Sequence, residues 1–477
     1  MNNSISICWF RQDLRLADNP ALTNASQHDN VLPIYIIDDI NAGQHALGGA
    51  CRYWLHHSLT ALDQSLKGKL SIYQGNAKEV FDDILSRFDV QTVYWNRCYQ
   101  PWQIARDTAL KQHLQAKGVS VISSNGSLLW EPWQISKSDG TPYKVFTPFY
   151  RNGCLMAEPP RPPLPAPKHV TCLDDERGAF QLENSQLLTK EQWHRKLEPH
   201  WDIGEEGAYT RLQHFLKEAL PFYKDGRNIP AKPYISKLSP HLRFGELSPN
   251  QVWHAAQHMG DNEHIQMFCS ELGWREFSYS LLYHHPNLPN QNLNTKFDAF
   301  PWTENMQLLT AWQKGLTGIP MVDAGMRELW QTGFMHNRVR MITSSFLVKN
   351  LRLHWQHGER WFWDTLVDAD LASNSASWQW IAGCGADAAP YYRIFNPVIQ
   401  GQKFDVSGDY VRQFIPEIAA LPNKYLFCPW QAPAPVLKAA GITLGSTYPN
   451  PIVDLKQSRN AALAAFQQLS NKHTTQQ

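Results

Sequence analysis

The first 125 residues alternate short apolar runs with amphipathic stretches. Each apolar run is bounded by polar or turn-forming residues, which is typical of strands buried on both faces of a parallel sheet. The stretches at 53–66 and 105–114 repeat apolar residues with helical spacing. This alternation predicts an N-terminal doubly wound parallel α/β domain. The predicted strands are Ile5 to Phe10, Val31 to Ile37, Leu70 to Tyr73, Thr92 to Trp95 and Val119 to Ile122.

The pattern changes twice farther along the chain. Between Pro159 and Pro167 six of nine residues are proline, which favours an extended connector. After about residue 200 helical periodicities become long and clusters of β-branched residues become rare. The sequence therefore predicts an α/β domain at 1–130, an interdomain linker at 131–200 and a larger all-helical domain at 201–477.

Composition excludes several classes of protein. No apolar run approaches the roughly 18 residues of a membrane span, and the N-terminus lacks the basic and apolar regions of a signal peptide. The eight cysteines form no C-x-x-C pair and no zinc-like spacing, so we expect no metal site and reduced thiols in the cytoplasm. Because the formal net charge is only +1, any contact with DNA must be local.

One segment, from Trp361 to Trp380, carries an unusual mixture of residues. It contains four tryptophans, the acids Asp368 and Asp370, and the amide Asn374. Asp and Asn are rarely buried without polar partners, and tryptophan is a poor choice for a solvated face. The mixture predicts a flat polar ligand at this segment.

Two ligand motifs fail on their context. A calcium loop beginning at Asp368 would place Ser373 at the sixth position and Gln379 at the twelfth, which removes the required glycine and glutamate. The glycines at 383 and 385 resemble a dinucleotide fingerprint, but the chain runs into Pro390 instead of opening a helix. The sequence has no Walker A, H-E-x-x-H or G-x-S-x-G motif, so hydrolase and phosphate-loop NTPase functions lose support.

Motifs throughout the chain resemble those of the photolyase and cryptochrome family. The opening residues 9–22 read WFRQDLRLADNPAL, and six further motifs follow in the order typical of that family. Together they cover nearly the whole chain, which is most similar to bacterial cyclobutane pyrimidine dimer photolyases of the class I and class III branch. The six motifs are YKVFTPF at 143–149, SKLSPHLRFGELS at 236–248, ELGWREF at 271–277, MHNRVRM at 335–341, WFWDTLVDADLASNSASWQW at 361–380 and AAPYYRIFNP at 388–397.

The resemblance implies a carbon–carbon lyase that repairs DNA with light. A noncovalent, U-shaped flavin adenine dinucleotide (FAD) is expected in the helical domain, active as the fully reduced anion. Its excited state would pass an electron to a flipped-out pyrimidine dimer and recover it after the dimer splits. The implied partner is UV-damaged DNA containing such dimers, and the chain is expected to act as a monomer in the bacterial cytoplasm.

The resemblance also assigns residues to FAD. Asn374 matches the position that faces flavin N5, where an amide, unlike an aspartate, cannot supply a proton. Arg340 matches the arginine that pairs with the acids beside the flavin ring, without which a buried acid tends to become neutral. Ile235 replaces a commoner threonine beside the phosphate region and is not included. The alternative for these residues is a cluster of helix caps and salt bridges. The implied cofactor-binding residues are Tyr223, Ser236, Lys237, Leu238, Ser239, Asn337, Arg340, Asp368, Ala369, Asp370 and Asn374.

A second implied group of residues surrounds the lesion. Flipping a base out costs a few kcal/mol, and aromatic stacking returns about 1–3 kcal/mol per base. Trp274 and Trp380 match the two walls of the pocket, and Glu271 matches an acid that must donate a hydrogen bond to the dimer. Met341 stands where (6-4) photolyases carry a histidine, which favours the cyclobutane substrate. The implied catalytic residues are Glu271, Trp274, Asn374, Met341 and Trp380.

Further residues match electron transfer and DNA contact. Trp378, Trp355 and Trp302 match a chain of indoles that leads electrons to the flavin, although plain packing competes as an explanation of Trp302. Cations beside the pocket motifs would grip phosphates without reading the base sequence, and the alternative is an ordinary solvated charge. The implied DNA-binding residues are Arg275, Asn337, Arg338, Arg393 and Lys403.

A second, light-harvesting chromophore is implied near the N-terminal sheet, and its identity stays open. Trp102 and Gln103 stand where folate-binding class I enzymes carry an Asn-Glu pair. A folate such as methenyltetrahydrofolate could bind differently, a flavin or deazaflavin could replace it, or the site could be empty. His45 is a weak candidate for contact with such a chromophore.

Two other functions compete with photolyase activity. A blue-light photoreceptor of the cryptochrome type would share the fold and FAD, but it should lose Glu271, Trp274 or Met341 and often gain a signalling tail. This chain keeps all three residues and lacks a long tail. A flavin-dependent oxidoreductase is disfavoured because no nicotinamide-binding fingerprint is present.

Overall fold

A computed structural model describes residues 4–176, 178–388 and 392–474 of the chain. The chain divides into two compact units. The first unit comprises Met1–Tyr223, Ser236–Pro286 and Val367–Ala372. The second comprises Lys224–Ile235, Asn287–Leu366 and Ser373–Gln477. The domain limits at residues 130 and 200 stay a prediction.

The first unit contains a five-stranded parallel sheet with the strand order β3-β2-β1-β4-β5. The predicted parallel α/β architecture is therefore confirmed, and all five predicted strands are present. The order of the strands reverses between β1 and β4, as it does in doubly wound sheets. The strands are β1 (Ser4–Phe10), β2 (Val31–Ile37), β3 (Ser71–Gln74), β4 (Asp89–Asn96) and β5 (Ser120–Ser124).

The sheet forms because its apolar runs are covered on both faces. Ile7, Trp9, Ile34 and Val93 lie in one buried cluster with apolar residues of the flanking helices. The first helix begins where the sequence signals it, since the Asn19 side chain accepts a hydrogen bond from the first turn and proline follows. The helices between the strands are α1 (Pro20–Ala25), α2 (Asp39–Ala42), α3 (Gly49–Ser65), α4 (Ala77–Arg87) and α5 (Pro101–Ala116).

The rest of the first unit consists of helices and irregular connecting segments. Helix α10 begins with a reciprocal capping box between Ser248 and Gln251, and α11 begins at an Asn262 cap. Helix α8 starts at Tyr223 and continues into the second unit along the chain. These helices are α6 (Phe146–Pro148), α7 (Glu205–His214), α8 (Tyr223–Gly226), α9 (Ser239–Phe244), α10 (Pro249–His258) and α11 (Glu263–His284).

The second unit is built mainly from helices, as the long periodicities after residue 200 predicted. Helix α16 takes its first two residues from the short stretch Val367–Ala372 and the remainder from the second unit. Its helices are α12 (Met306–Gln313), α13 (Pro320–Thr332), α14 (Asn337–Ser345), α15 (Trp355–Thr365), α16 (Leu371–Ala382), α17 (Pro397–Phe404), α18 (Asp409–Phe414), α19 (Asn423–Leu426), α20 (Ala434–Ala439) and α21 (Leu455–Thr474).

Three global properties bear on the kind of site that can form. Among the described residues, no helix combines the length and apolar character needed to cross a membrane. Within the same ranges, no group of three His, Cys, Asp or Glu side chains is arranged to hold a metal ion. The eight cysteines are free thiols.

Candidate active site

In the first unit, the acids of the stretch Val367–Ala372 are held by hydroxyl groups. Asp368 and Asp370 are both buried. The Ser239 Oγ donates to Asp368 Oδ2 at 2.6 Å, and the Tyr279 hydroxyl donates to Asp370 Oδ2 at 2.6 Å. Each donor is neutral, so the two carboxylates are oriented and can still accept from a ligand.

The backbone of the same stretch is held by Arg243. Its Nε donates to the Ala369 carbonyl oxygen at 2.6 Å, and the side chain is buried. Arg243 and Tyr279 were not predicted from the sequence. Arg243 lies within the 236–248 motif, so the motif contained a signal for it. Tyr279 lies just beyond the 271–277 motif, and only its contact with Asp370 identifies it.

The predicted phosphate-binding residues form a tight turn after Tyr223. Tyr223 is buried and packs edge-on against Phe268, with the ring centroids 5.3 Å apart. The Ser236 Oγ accepts from the Leu238 backbone N–H at 3.3 Å, and Lys237 adopts a left-handed backbone with φ of 53°. A left-handed residue reverses the chain direction and points successive N–H groups to one side.

Two predicted lesion residues, Glu271 and Trp274, lie one turn apart on α11. Both are partly exposed. The Trp274 ring stacks on Phe146, with centroids 3.8 Å apart and planes 12° apart. Phe146 in turn stacks on Tyr150 at 5.6 Å and 11°. These three rings form a stack that fixes one face of Trp274. Phe146 was missed because its motif at 143–149 gives no sign of contact with Trp274, and Tyr150 was missed because it lies just beyond that motif.

Arg275, a predicted DNA contact, is mostly buried. Its side chain is 15% exposed, and its Nη1 lies 3.1 Å from Glu276 Oε1. Glu276 also accepts from the backbone N–H groups of Leu129 and Trp130, at 2.9 and 3.3 Å. Burial raises the pKa of Glu276 to about 7, against the opposing effect of Arg275. The contact of Arg275 with DNA stays a prediction.

In the second unit, Asn374 is held by the neighbouring helix α15. Its Nδ2 donates to the Glu359 carbonyl oxygen at 3.0 Å, which orients the amide. The Ser375 Oγ donates to Glu359 Oε1 at 2.5 Å. Burial raises the pKa of Glu359 to about 7. Glu359 was missed because it lies just upstream of the 361–380 motif.

The three tryptophans of the predicted electron path also lie in the second unit. Trp378 and Trp355 are buried, and Trp302 is partly exposed. Trp378 packs on Gly358 so closely that a Cβ atom there would lie 2.0 Å from its ring. The Trp355 Nε1 donates to Asn292 Oδ1 at 2.9 Å. Two of these indoles are therefore buried and one reaches the surface, and their role in electron transfer stays a prediction.

Two predicted residues of α14 hold contacts within the second unit. Arg338 donates from Nη2 to Asn228 Oδ1 at 2.8 Å, and its guanidinium lies 4.4 Å from the Phe404 ring centroid. The Arg340 Nε donates to the Met335 carbonyl oxygen at 2.7 Å. Asn337, by contrast, is exposed at the start of α14.

The remaining predicted residues of the second unit lie at or near the surface. Trp380 and Met341 are partly exposed, whereas Arg393 and Lys403 are exposed. The Trp380 Nε1 donates to the Asp387 carbonyl oxygen at 3.2 Å, and the Arg393 guanidinium lies 5.8 Å from the Trp380 ring centroid. Residues 389–391 of the 388–397 motif lie outside the described residues.

Two pairs of predicted site residues are in contact within single units. Ser239 meets Asp368 within the first unit, although 129 residues separate them in the chain. Trp380 meets Arg393 within the second unit. The expected pairing of Arg340 with the acids stays a prediction.

A separate cleft lies at the carboxyl ends of β1, β2 and β4. Trp102, Gln103 and His45, the three residues considered for a second chromophore, all line it. The Arg106 guanidinium lies 4.9 Å from the Trp102 ring centroid and 3.3 Å from Asp38 Oδ2. Open α/β sheets bind ligands in this crevice, where the strand order reverses.

Both parts of the chain match known family models. Residues 6–168 match the DNA photolyase model. Residues 268–468 match the FAD binding domain of DNA photolyase. The chain therefore carries an FAD-binding domain of the photolyase type.

Comparison with individual proteins extends this likeness to the full length. A deoxyribodipyrimidine photo-lyase of Agrobacterium fabrum is 49% identical over 96% of this chain and 97% of its own. The crystal structure of a bacterial class III photolyase from Agrobacterium tumefaciens superposes with a TM-score of 0.94 at 47% identity, covering 99% of this chain and 98% of that one. An archaeal photolyase from Sulfolobus tokodaii with two FAD molecules gives a TM-score of 0.81 at 29% identity, covering 97% and 99%. The chain belongs to the DNA photolyase family.

Proposed function

We propose that this chain is a light-dependent deoxyribodipyrimidine photo-lyase that splits cyclobutane pyrimidine dimers in UV-damaged DNA. The main support is its 49% identity to a deoxyribodipyrimidine photo-lyase along almost the whole length of both chains. The arrangement of some expected side chains within each unit adds support. Glu271 and Trp274 share one face of α11, and Asn374 is buried and oriented.

The donor set of the two units suits FAD. When bound and reduced, FAD would supply the excited electron that opens the cyclobutane ring and would take it back afterwards. Asp368 and Asp370 offer carboxylate oxygens to N–H groups of a flavin ring, and Asn374 offers its Oδ1 to N5–H. The turn Ser236–Ser239 offers hydroxyl and backbone N–H groups to phosphate oxygens.

The lesion would be recognised by stacking and by one acid. Trp274 offers only one ring face to a flipped-out dimer, since Phe146 covers the other. Trp380 and Met341 would also pack against the dimer. Glu271 would donate a hydrogen bond to a base carbonyl, so it must hold its proton in the complex. Stacking and hydrogen bonding together would offset the cost of flipping.

Contact with the DNA backbone would come from exposed groups. Arg393 and Lys403 are exposed cations, and Asn337 is an exposed amide. Because these side chains are exposed, they can reach phosphates from the surface. Arg338 and the mostly buried Arg275 already bind internal acceptors. They would therefore act on the DNA through their positive charge. Action as a monomer in the bacterial cytoplasm stays a prediction.

We propose in addition that a planar light-harvesting chromophore binds in the cleft beside β1, β2 and β4. Trp102 can stack on such a ring, and Gln103 can hydrogen-bond its edge. The absorption spectrum of the purified protein, taken before and after heat release, would identify the chromophore and distinguish a folate from a flavin.

Repair of a defined lesion tests the principal proposal. Protein reduced with dithionite should restore intact thymines in a duplex containing one thymine dimer under blue light, and not in the dark. Trp274→Ala is the matched variant, because it should bind FAD normally and repair poorly. If the wild-type protein with FAD bound shows no repair, a cryptochrome-type photoreceptor becomes the better explanation.

The electron path has its own test. Trp378→Phe should lose photoreduction of FAD, because phenylalanine is a much poorer electron donor than tryptophan. Protein of the same variant reduced chemically beforehand should still repair dimers. Loss of repair as well would show that Trp378 also takes part in the chemistry of the lesion.

A further inference from the structure

His354 lies between two of the tryptophans proposed to carry electrons. Its ring centroid is 5.1 Å from that of Trp302, with the rings edge to face at 65°. The same imidazole stacks on Trp355 at 5.6 Å and 29°. One aromatic ring therefore contacts both indoles of the proposed outer electron-transfer step.

The backbone holds Trp302 beside His354. The Thr303 N–H donates to the Arg352 carbonyl oxygen at 2.8 Å, and the Thr303 Oγ1 donates to the Leu351 carbonyl oxygen at 2.8 Å. The main-chain bond belongs to a short parallel bridge between Thr303 and Leu353, and the hydroxyl bond reinforces it. The residue after Trp302 is thus paired with the residue before His354, which keeps the two side chains together.

The His354 ring is also held, and it is neutral. Its Nδ1 accepts from the Gln356 backbone N–H at 3.3 Å, which caps α15 and leaves the ring proton on Nε2. Burial, together with the nearby His357 and Arg360, lowers the pKa of His354 to about 4. A neutral ring suits this place, because a fixed positive charge between the indoles would oppose the passage of an electron vacancy.

We propose that His354 is a positioning residue for electron supply. Its imidazole keeps the Trp302 ring close to Trp355. The same aromatic ring lies between the two indoles, where its π electrons can assist electron transfer. In the step concerned, one electron passes from Trp302 to oxidised Trp355, and no covalent bond forms or breaks. An external thiol then returns an electron to Trp302. The proposal rests on the proposed electron-transfer function of these tryptophans.

A role in helix capping alone is the competing explanation, and two variants separate the roles. His354→Asn keeps a good cap and removes the ring. His354→Phe keeps a ring and removes the cap. Photoreduction of FAD with a thiol donor should slow several-fold in His354→Asn at an almost unchanged melting temperature. His354→Phe should photoreduce nearly as fast as the wild type but melt at a lower temperature.

Two controls separate failure of the role of His354 from failure of the whole electron path. Both variants, reduced chemically, should repair thymine dimers like the wild type, because the lesion chemistry does not use His354. Wild-type photoreduction in His354→Asn would overturn the role of His354 if Trp302→Phe still blocks photoreduction. If Trp302→Phe and Trp355→Phe also photoreduce like the wild type, the proposed electron path itself fails and the role of His354 fails with it.

Discussion

Two buried glutamates, one in each compact unit, differ in the partners that hold them. Glu276 follows the proposed lesion residue Trp274, and Glu359 lies against the proposed flavin residue Asn374. Burial raises the pKa of both carboxyl groups to about 7. An equal pKa therefore does not mean an equal role, because the hydrogen-bond donors around each carboxyl group differ in number and charge.

The Glu276 carboxyl group accepts hydrogen bonds from three groups of its own unit. Two are the backbone N–H groups of Leu129 and Trp130, and the third is the Arg275 guanidinium. Removal of this carboxyl group would leave all three donors buried without an acceptor. Glu276 thus joins the loop at residues 129–130 to the helix that carries Glu271 and Trp274.

The Glu359 carboxyl group instead accepts a hydrogen bond from the neutral hydroxyl group of Ser375. Its contact with Asn374 uses the main-chain carbonyl oxygen, which any residue at this position would keep. The carboxyl group is therefore replaceable by an uncharged group of similar shape. The difference between the two glutamates leads to three predictions, ordered from the largest expected change in unfolding free energy to the smallest.

The largest effect is expected for Glu276→Leu. The variant should lose roughly 3–5 kcal/mol of unfolding free energy, because a buried guanidinium and two N–H groups lose their acceptor. Urea denaturation followed by tryptophan fluorescence measures this loss. Glu276→Gln, which keeps one acceptor oxygen, should lose less. A loss below about 1 kcal/mol in Glu276→Leu would show that water replaces the carboxyl group.

The second largest effect is expected in the pH dependence of the unfolding free energy, through Glu359. Because the folded-state pKa of Glu359 is about 7 and its ordinary value is 4.5, the folded protein keeps this proton longer than the unfolded chain does. Stability from this group is therefore complete below about pH 4.5 and falls as the pH rises to about 7, by up to roughly 3 kcal/mol. Glu359→Gln should flatten this part of the stability curve and gain stability at pH 8 relative to the wild type.

Unfolding free energies measured in urea at several pH values test this prediction. Glu191→Gln, at an exposed position, is the matched control and should leave the curve unchanged. If Glu359→Gln also leaves it unchanged, solvent reaches the Glu359 carboxyl group in the folded protein.

The smallest effect is expected for Ser375→Ala. It removes one neutral hydrogen bond and should cost about 1 kcal/mol. Without the Ser375 donor, the pKa of Glu359 should rise further, so the fall in stability should extend to higher pH. Repeating the urea titrations over the same pH range would detect this shift. A shift to lower pH would contradict the assigned hydrogen bond.

Much of the fold was predictable because its signals are local. Ile34 and Val93 belong to apolar runs that cannot be solvated, and a run bounded by turn residues leaves few alternatives to a buried strand. The helix starts at Asn19 and Ser248 follow capping rules that involve only a few neighbouring residues. The family, the two-part fold and the photolyase function inferred from the motifs are confirmed.

The site was less predictable because its partners are distant in the chain. The sequence motifs contain Asp370, but its donor Tyr279 lies 91 residues away. The motifs contain Trp274, but the Phe146 ring that covers one of its faces belongs to another motif. The assigned roles of individual site residues stay predictions to be tested by the variants described above.

The sequence alone determined the five strands along the chain, the change to a helical region, the family and the residue types available for flavin and lesion, because these depend on local pattern and on motif identity. Tertiary structure alone decided which donors hold those residues and which carboxyl groups are buried. Burial and long-range hydrogen bonds depend on how the elements pack, and that packing gives Glu276 and Glu359 the same pKa with different partners. For the same reason only the folded chain placed His354 between Trp302 and Trp355.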